Sequence, residues 1–418
     1  MEYKLSTCRV YLINQFTEGY RFIHETQLPQ NWIEFIYVFE NVHMMFPALK
    51  IRFTDMIGLT DVRPLAGVCM FIGLDEKFTR FYDFAVVRCD GKKIEDVRRM
   101  VVGSLTLYGI DMVGLWLRMK KSRSYGFKSA SEVVERVMDE LVEEYRKVCK
   151  FVQYDKRVVS SLDRFRYFQA GTSYASFLSY LRDAAKSGVE RDGYLFWIER
   201  YSEGGVKKLG VRFVTVEELR KQEVKWRLEY TLSKEDFERA FVNDGIIEGN
   251  RVPILWLSVD GGGRQDVLVD RIADVVAFQI EGLKLCKKKL ELKVGEGKRY
   301  WFGLDEFYRR VKDEVKNYLV SGSVRDRLSS ELGVSPFVRA KMNRKIYVVV
   351  PGCSRIRLGD KVDVKVSAGV SSAIEMYKFV TGEWLVMGIT HFISGQGRHY
   401  LQKLTLVSEE YKTESVRV

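Results

Sequence analysis

Three stretches near the C-terminus decide the fold: IRLGDKVDV (356–364), GEWLVMGITHFI (382–393) and YLQKLTLV (400–407). In 361–366 a charged residue alternates with valine at every step. Successive side chains of a strand point to opposite faces, so this pattern puts apolar groups on one face and charges on the other. The pattern indicates a half-buried antiparallel strand.

The same alternation recurs upstream in 49–54, 226–232 and 289–294. Parallel, doubly wound sheets show continuous apolar runs instead, so the pattern excludes a Rossmann-type chain. Glycine is common (33) and proline rare (6), which is typical of many short strands joined by glycine turns. We predict hairpins of 194–201 with 206–214 and of 374–380 with 384–393, and a last strand over 400–407.

Three helices are predicted. Ser129 and Glu132 have the spacing of a capping box, and apolar residues recur after them at helical intervals to Val148. A second helix opens at 172–173 and buries one face up to Ala185, and a third spans about 305–319 with a short continuation to Leu332. The order is therefore strands, an α/β stretch with two helices, strands, a helix and strands.

The composition limits the class of protein. A chain of 418 residues is expected to form two to four domains. It has no apolar run long enough to span a membrane and no signal peptide, which predicts a cytoplasmic origin. Six cysteines occur singly, which favours reduced, buried thiols. They are Cys8, Cys69, Cys89, Cys149, Cys286 and Cys353.

The net charge is +12, from 68 Lys and Arg against 56 Asp and Glu. Such a balance raises the possibility of nucleic-acid binding, but the basic pairs are spread over different segments and form no basic tail. A solvated surface explains most of them, with a nucleic-acid contact as the alternative. The basic and aromatic run 298–302 is interpreted as core-edge packing, with a base-stacking platform as the alternative.

The search for catalytic and metal-binding patterns finds none that is specific. Of the four histidines (His24, His43, His391 and His399), none lies at helical metal-ligand spacing from another, and His391 facing His399 would supply only two ligands. The glycine-rich stretch 295–298 lacks phosphate-loop spacing, and 260–266 lacks the ligands of a calcium loop. No nucleophile motif is present. We therefore predict a structural protein without enzymatic activity or cofactor.

The C-terminal stretches resemble the last barrel of bacteriophage baseplate hub proteins, which are similar to the hub-forming half of type VI secretion spike proteins. The family pattern is an rxGDxVxV strand, an sGxylVxgvtHxis strand and a closing Yxtxlxlv strand, and all three occur here in order. The segments 46–55 with 65–72 are similar to the first barrel of that family, and 123–125 and 172–197 to its inserted α/β units.

The resemblance implies roles for nine residues in the fold. Gly359 and Asp360 would form a turn, Gly382 a hairpin corner, and Val362, Val364, Leu385 and Ile389 the barrel core. Val386 and His391 match the same motif. None of the nine is expected to be catalytic or to bind a metal or cofactor.

The resemblance also implies a β-rich α+β fold with two tail-tube-like antiparallel β-barrel domains and inserted small α/β units. The predicted domains are 1–95, with 206–265 as a candidate to complete it; 96–205, holding two helices; and 266–418, with a peripheral helix at about 305–332. Three copies would present six barrels to a hexameric tube.

The implied partners are the tail tube protein, the central spike protein and the tape measure protein, in a homotrimeric hub of the virion that is assembled in the host cytoplasm and serves genome ejection. Without an appended needle domain, the piercing tip is expected to be a separate polypeptide. The alternatives are a tube-initiator or distal-tail component, a cell-wall hydrolase and a nucleic-acid-binding protein.

Overall fold

A computed structural model describes most of the chain. The described residues are 7–15, 23–55, 67–75, 78–95, 101–148, 152–189, 192–231, 250–260, 267–269, 271–281, 284–293, 300–302, 344–367, 380–394 and 399–408.

The first strand set comprises seven strands from the first quarter of the chain. They are β1 (Thr7–Gln15), β2 (Ile23–Gln27), β3 (Ile33–Asn41), β4 (Ala48–Asp55), β5 (Gly67–Asp75), β6 (Phe78–Glu95) and β7 (Val101–Asp111). They pair antiparallel in the order β3-β4-β7-β6-β5-β1-β2. β2 connects to β3 through residues 28–32, with a 3-10 turn at Gln30–Trp32, but the structure shows no pairing between these two strands.

An inserted region follows and holds all four helices of the described residues. Its elements are α1 (Met112–Leu117), β8 (Lys120–Lys128), α2 (Ala130–Val148), β9 (Val152–Val158), β10 (Phe165–Ser173), α3 (Tyr174–Ala184), β11 (Tyr194–Glu203), β12 (Val206–Thr215) and α4 (Val216–Arg220). β8 and β10 form one antiparallel pair, while β11, β12 and β9 form a three-stranded sheet in which β9 runs parallel to β12.

The second strand set comes from the C-terminal half. It contains β13 (Trp226–Thr231), β14 (Arg251–Pro253), β15 (Trp256–Asp260), β20 (Arg344–Pro351), β21 (Lys361–Ser367), β22 (Gly382–Ser394) and β23 (His399–Ser408). The pairing runs β14-β13-β21-β22-β23-β20-β15. Only Ile254 and Leu255 separate β14 from β15, and their N–H groups donate to Glu229 and Val349 on the two flanking strands. The chain thus links the two ends of the second set, although β14 and β15 do not pair with each other.

Two short ladders lie between these elements in sequence. β16 (Val267–Val269) pairs with β19 (Tyr300–Phe302), and β17 (Arg271–Glu281) pairs with β18 (Lys284–Lys293), both antiparallel.

The two strand sets are joined by an antiparallel ladder between β3 and β22, from Phe35 opposite Ser394 to Asn41 opposite Gly388. Through this ladder they belong to one 14-stranded sheet. The apolar core of the first set includes Ile393 and Tyr400 from the second, and the core of the second includes Trp197 of the inserted region. Packing thus connects all three parts.

The predicted β-rich α+β class is confirmed, since the described residues form mostly antiparallel strands with few helices. The strand pairing of the described residues does not close either set into the predicted barrel. The hairpin of β11 and β12, the last strand and the first two helices are confirmed. At the start of α2, Ser129 N–H donates to Glu132 Oε2 (2.8 Å) and Glu132 N–H donates to Ser129 Oγ (3.3 Å), which is the predicted capping box.

Some strands pair differently from the predicted domain plan. β7 lies in the stretch assigned to the insertion but pairs with β4 and β6 of the first set. In the described part of 206–265, β12 pairs with β11 and β9, and β13 pairs with β21, so no pairing with the first set is seen there. The short helices α1 and α4 were not predicted. The third helix and its continuation, the strand 374–379, and the loops 295–298 and 261–266 lie outside the described residues.

Candidate functional site: a buried polar junction between the strand sets

The turn of the C-terminal motif fastens the second strand set to neighbouring segments. Gly359 has a φ of +79°, and a Cβ there would lie 3.1 Å from the buried ring of Trp197. Glycine is favoured on both counts, because other residues avoid positive φ and no room exists for a side chain. The buried Asp360 carboxylate accepts from Lys225 Nζ (2.7 Å), Trp226 Nε1 (3.2 Å) and the Arg357 N–H (2.9 Å).

The other motif residues lie where β21 and β22 face the core. Val362, Val364 and Val386 are fully buried, and Leu385 and Ile389 are nearly so. All five belong to the apolar core of the second set. Gly382, with a φ of +132°, begins β22.

His391 is fully buried, and its ring contacts both strand sets. Its Nδ1 lies 2.7 Å from the Tyr400 hydroxyl, and its Nε2 lies 3.3 Å from the Tyr82 hydroxyl and 3.4 Å from Glu40 Oε2. The ladder pairs His391 with Gln402 and Ser394 with His399, so the two histidines do not face each other. Burial lowers the pKa of His391 more than neighbouring Glu40 raises it, which makes the neutral ring the form present at neutral pH.

Glu40 carries a buried negative charge at this point. Burial alone would raise its pKa, but the Arg80 guanidinium and the hydrogen bonds from His391 and Tyr82 hold the pKa at about 2. Arg80 Nη1 lies 3.7 Å from Glu40 Oε1, and both side chains are almost fully enclosed. The pair is therefore ionised at neutral pH.

Arg80 connects three parts of the chain through its remaining N–H groups. Nε donates to the Ser354 carbonyl (3.0 Å), Nη1 to the Arg200 carbonyl (3.0 Å) and Nη2 to the Ile356 carbonyl (2.5 Å). These acceptors belong to β11 of the inserted region and to the loop before β21. One guanidinium on β6 thus holds the insertion and the C-terminal motif against the first strand set.

A second buried ion pair lies beside it. Arg200 donates from Nε and Nη2 to the two oxygens of Asp111 (2.7 and 2.9 Å), and both side chains are fully enclosed. Arg200 Nη1 also donates to the Tyr145 hydroxyl of α2 (2.6 Å). Asp111 in turn caps α1 by accepting from the Val113 N–H (2.8 Å). Such forked Arg–carboxylate pairs are geometrically specific, so they define how the insertion sits on β7.

The two ion pairs of this junction are removed from solvent. The Tyr145 hydroxyl, which accepts from Arg200, also donates to the buried Asp83 carboxylate (2.5 Å), so the network extends beyond the two pairs. Over the part of the chain that the structure describes, no group of three or more His, Cys, Asp or Glu side chains could hold a metal ion. No helix in that part is long and apolar enough to cross a membrane.

Sequence reasoning named His391 and Asp360 but missed Glu40, Arg80, Asp111 and Arg200. One signal was present: Glu40 lies inside the apolar stretch 32–46, where an exposed carboxylate is not expected. Nothing local in the sequence identifies Arg80 as its partner.

No protein-family model matches the chain, and no curated protein matches it. Among solved structures, a tail protein from Neisseria meningitidis MC58 is 11% identical, with a TM-score of 0.49 over 96% of each chain. The 43 kDa tail protein of prophage MuSo2 from Shewanella oneidensis is 12% identical, with a TM-score of 0.49 over 96% of this chain and 98% of that one. An E. coli type VI secretion component with structural similarity to T4 bacteriophage tail proteins is 11% identical, with a TM-score of 0.43 over 90% of this chain and 74% of that one.

These three solved structures are phage tail and type VI secretion proteins, the group that the C-terminal motif resembles. At these TM-scores and identities the likeness carries no residue roles and no activity to this chain. The function is therefore argued from the chain's own contacts.

Proposed function

We propose that the chain is a structural baseplate hub of a phage or phage-like tail, a trimeric adaptor that joins the hexameric tail tube to the central spike. The observation that carries the proposal is the β3–β22 ladder, which joins two strand sets edge to edge in one sheet. Because the ladder fixes the position of one strand set relative to the other, each chain offers two similar surfaces to the tail tube. Three copies around one axis then match a six-fold tube.

The packing of the two sets supports this role. Their interiors are filled by side chains, so each set can act as a solid wall element and not as a pore. The buried pairs Glu40–Arg80 and Asp111–Arg200 hold the inserted region against them. A cyclic trimer also closes its heterologous interfaces, so assembly stops at a finite size.

The proposed partners are the tail tube, central spike and tape measure proteins, and the proposed location is the virion tail after assembly in the host cytoplasm. The proposed role is non-enzymatic. Purified protein is expected not to hydrolyse peptidoglycan or nucleotides, and clearing of a peptidoglycan zymogram by the isolated chain would contradict this part of the proposal.

The experiment that tests the hub role is the copy number in an assembled particle, measured by cryo-electron microscopy. Three copies around the tail axis are expected. Six equivalent copies would identify a tube-initiator or distal-tail component, and a single copy would remove the architectural argument. The isolated chain is not the right sample, since partners above and below contribute stabilisation by mass action.

A further inference from the structure

One face of the inserted region carries exposed apolar and basic side chains in a regular row. Along 162–170 every second residue is exposed, and Leu162 and Phe168 keep 65% and 61% of their surface in solvent. Across the β8–β10 ladder, Phe127 is 63% exposed. We name this set the arginine–aromatic stripe; it consists of Phe127, Leu162, Arg164, Arg166 and Phe168.

Buried polar residues alternate with the exposed residues of 162–170, and their hydrogen bonds keep the stripe side chains on the solvent side. Asp163 Oδ2 accepts from the Ala130 N–H (2.7 Å) and from the Tyr167 hydroxyl (2.6 Å). Gln169 Nε2 donates to the Thr172 carbonyl (2.8 Å). Because Asp163, Tyr167 and Gln169 are buried and fixed in this way, the alternate residues cannot turn inward without breaking these bonds.

Small residues lie across the β8–β10 ladder from part of the stripe. Arg166 lies opposite Phe127 in the ladder, Phe168 opposite Ser124, and Ala170 opposite Ser122. The small side chains leave the faces of the two phenylalanines accessible. Exposed phenylalanines of this size on a rigid two-stranded sheet mark an interaction surface more often than a solvated one.

The charges of the stripe are available to a partner. Arg164 and Arg166 are exposed, and neither makes an ion pair with another described residue. On the paired strand β8, Lys121 and Arg123 pair with Glu140, and Lys128 pairs with Glu132. The stripe therefore combines two guanidinium groups with three exposed apolar side chains, and arginine and aromatic residues are enriched where proteins bind proteins.

We propose that the arginine–aromatic stripe binds an acidic segment of another polypeptide, whose carboxylates pair with Arg164 and Arg166 and whose apolar side chains cover Phe127, Leu162 and Phe168. A second copy that binds through the same stripe fits less well, because the arginines of the two stripes would then face each other. Nucleic acid also fits less well, because two guanidinium groups neutralise few phosphates and Leu162 offers no ring for stacking. The inference goes beyond the hub role and does not require it.

The test uses the full chain and a short fluorescent peptide in which glutamate alternates with leucine, with binding measured by fluorescence anisotropy. The double variants Arg164→Glu/Arg166→Glu and Phe127→Ser/Phe168→Ser change exposed positions, so their thermal unfolding should match the wild type. Each is expected to weaken binding about tenfold or more, and added salt should weaken binding to the wild type. The matched controls Lys221→Glu/Arg227→Glu and Val206→Ser, at exposed positions outside the stripe, should bind like the wild type.

Five results would overturn the proposal. The peptide could fail to bind the wild type, or could bind the stripe variants as well as the wild type. An alternating lysine–leucine peptide could bind as tightly, which would remove the charge argument. A single-stranded oligonucleotide that binds the wild type and not the stripe variants would assign the stripe to nucleic acid, and self-association that those variants abolish would assign it to a second copy.

Discussion

Replacing Glu40 with glutamine tests the buried junction directly. The substitution keeps the shape of the side chain but removes the charge that faces Arg80, whose guanidinium lies 3.7 Å away with no exposure to solvent. An unpaired buried charge is costly, so we expect Glu40→Gln to lower the free energy of unfolding at pH 7 by about 3–5 kcal/mol.

The pH dependence of unfolding gives a second, independent value for the free energy that Glu40 contributes to stability. The pKa of Glu40 is about 2 in the folded chain against an ordinary value of 4.5. A carboxylate with a depressed pKa adds stability above its unfolded pKa and loses it as the pH falls through the folded value. For these two values the stability that Glu40 adds at pH 7 falls by about 2 kcal/mol at pH 3. The difference in unfolding free energy between the wild type and Glu40→Gln should therefore be about 2 kcal/mol smaller at pH 3 than at pH 7.

The measurement is urea unfolding followed by circular dichroism at several pH values from 7 to 3. Glu34→Gln is the matched control, because Glu34 lies on the same strand but is exposed and pairs with Arg52 on the surface (2.8 Å). Glu34→Gln should lower the free energy of unfolding by less than about 1 kcal/mol at any pH. The reasoning is refuted if Glu40→Gln lowers the free energy of unfolding by the same amount at pH 7 and at pH 3. It is also refuted if that loss is no larger than the loss caused by Glu34→Gln.

Three further outcomes are expected. Leu385→Asp or Ile389→Asp should unfold the second strand set, since burying an unpaired carboxylate costs several kcal/mol against a total stability of roughly 5–15 kcal/mol. Soluble variants with an unchanged melting temperature would show that these side chains do not face the core. Gly352→Ala should lower the melting temperature strongly, because a Cβ there would lie 1.9 Å from the ring of buried Tyr400, whereas Gly188→Ala, with its nearest neighbour at 3.6 Å, should change it little. Retention on DNA should be weak and fall steeply with salt, and sequence-specific nanomolar binding at physiological salt would contradict the interpretation of the scattered basic residues.

Local features of the fold could be predicted from the sequence because their causes are local. The alternation in 361–366 and 226–231 identifies β21 and β13 as strands, but the structure pairs them in parallel, so the antiparallel pairing predicted for β13 is wrong. The capping residues Ser129 and Ser173 mark the starts of α2 and α3. The turn 204–205 has positive φ at both glycines, as a tight hairpin requires.

The pairing of distant strands could not be predicted in the same way. The ladder between β3 and β22 joins residues more than three hundred positions apart, and periodicity does not say which strand is the neighbour of which. α1 was missed because its cap, Asp111, follows directly on a strand and opens a helix of only 6 residues. Arg80 and Arg200 are buried, although arginine is usually exposed, and only their contacts with distant segments account for this.

The buried charges bear on why the two strand sets hold one relative position. Buried residues alternate with partly exposed ones along β3, so its apolar pattern already disfavours a slip of one residue. Glu40 lies on β3 and His391 on β22, and both are held by Tyr82. A slip of one residue would turn these polar groups away from Arg80 and Tyr400 and leave the guanidinium without its counter-charge. The network therefore adds its own penalty against registers other than the observed one.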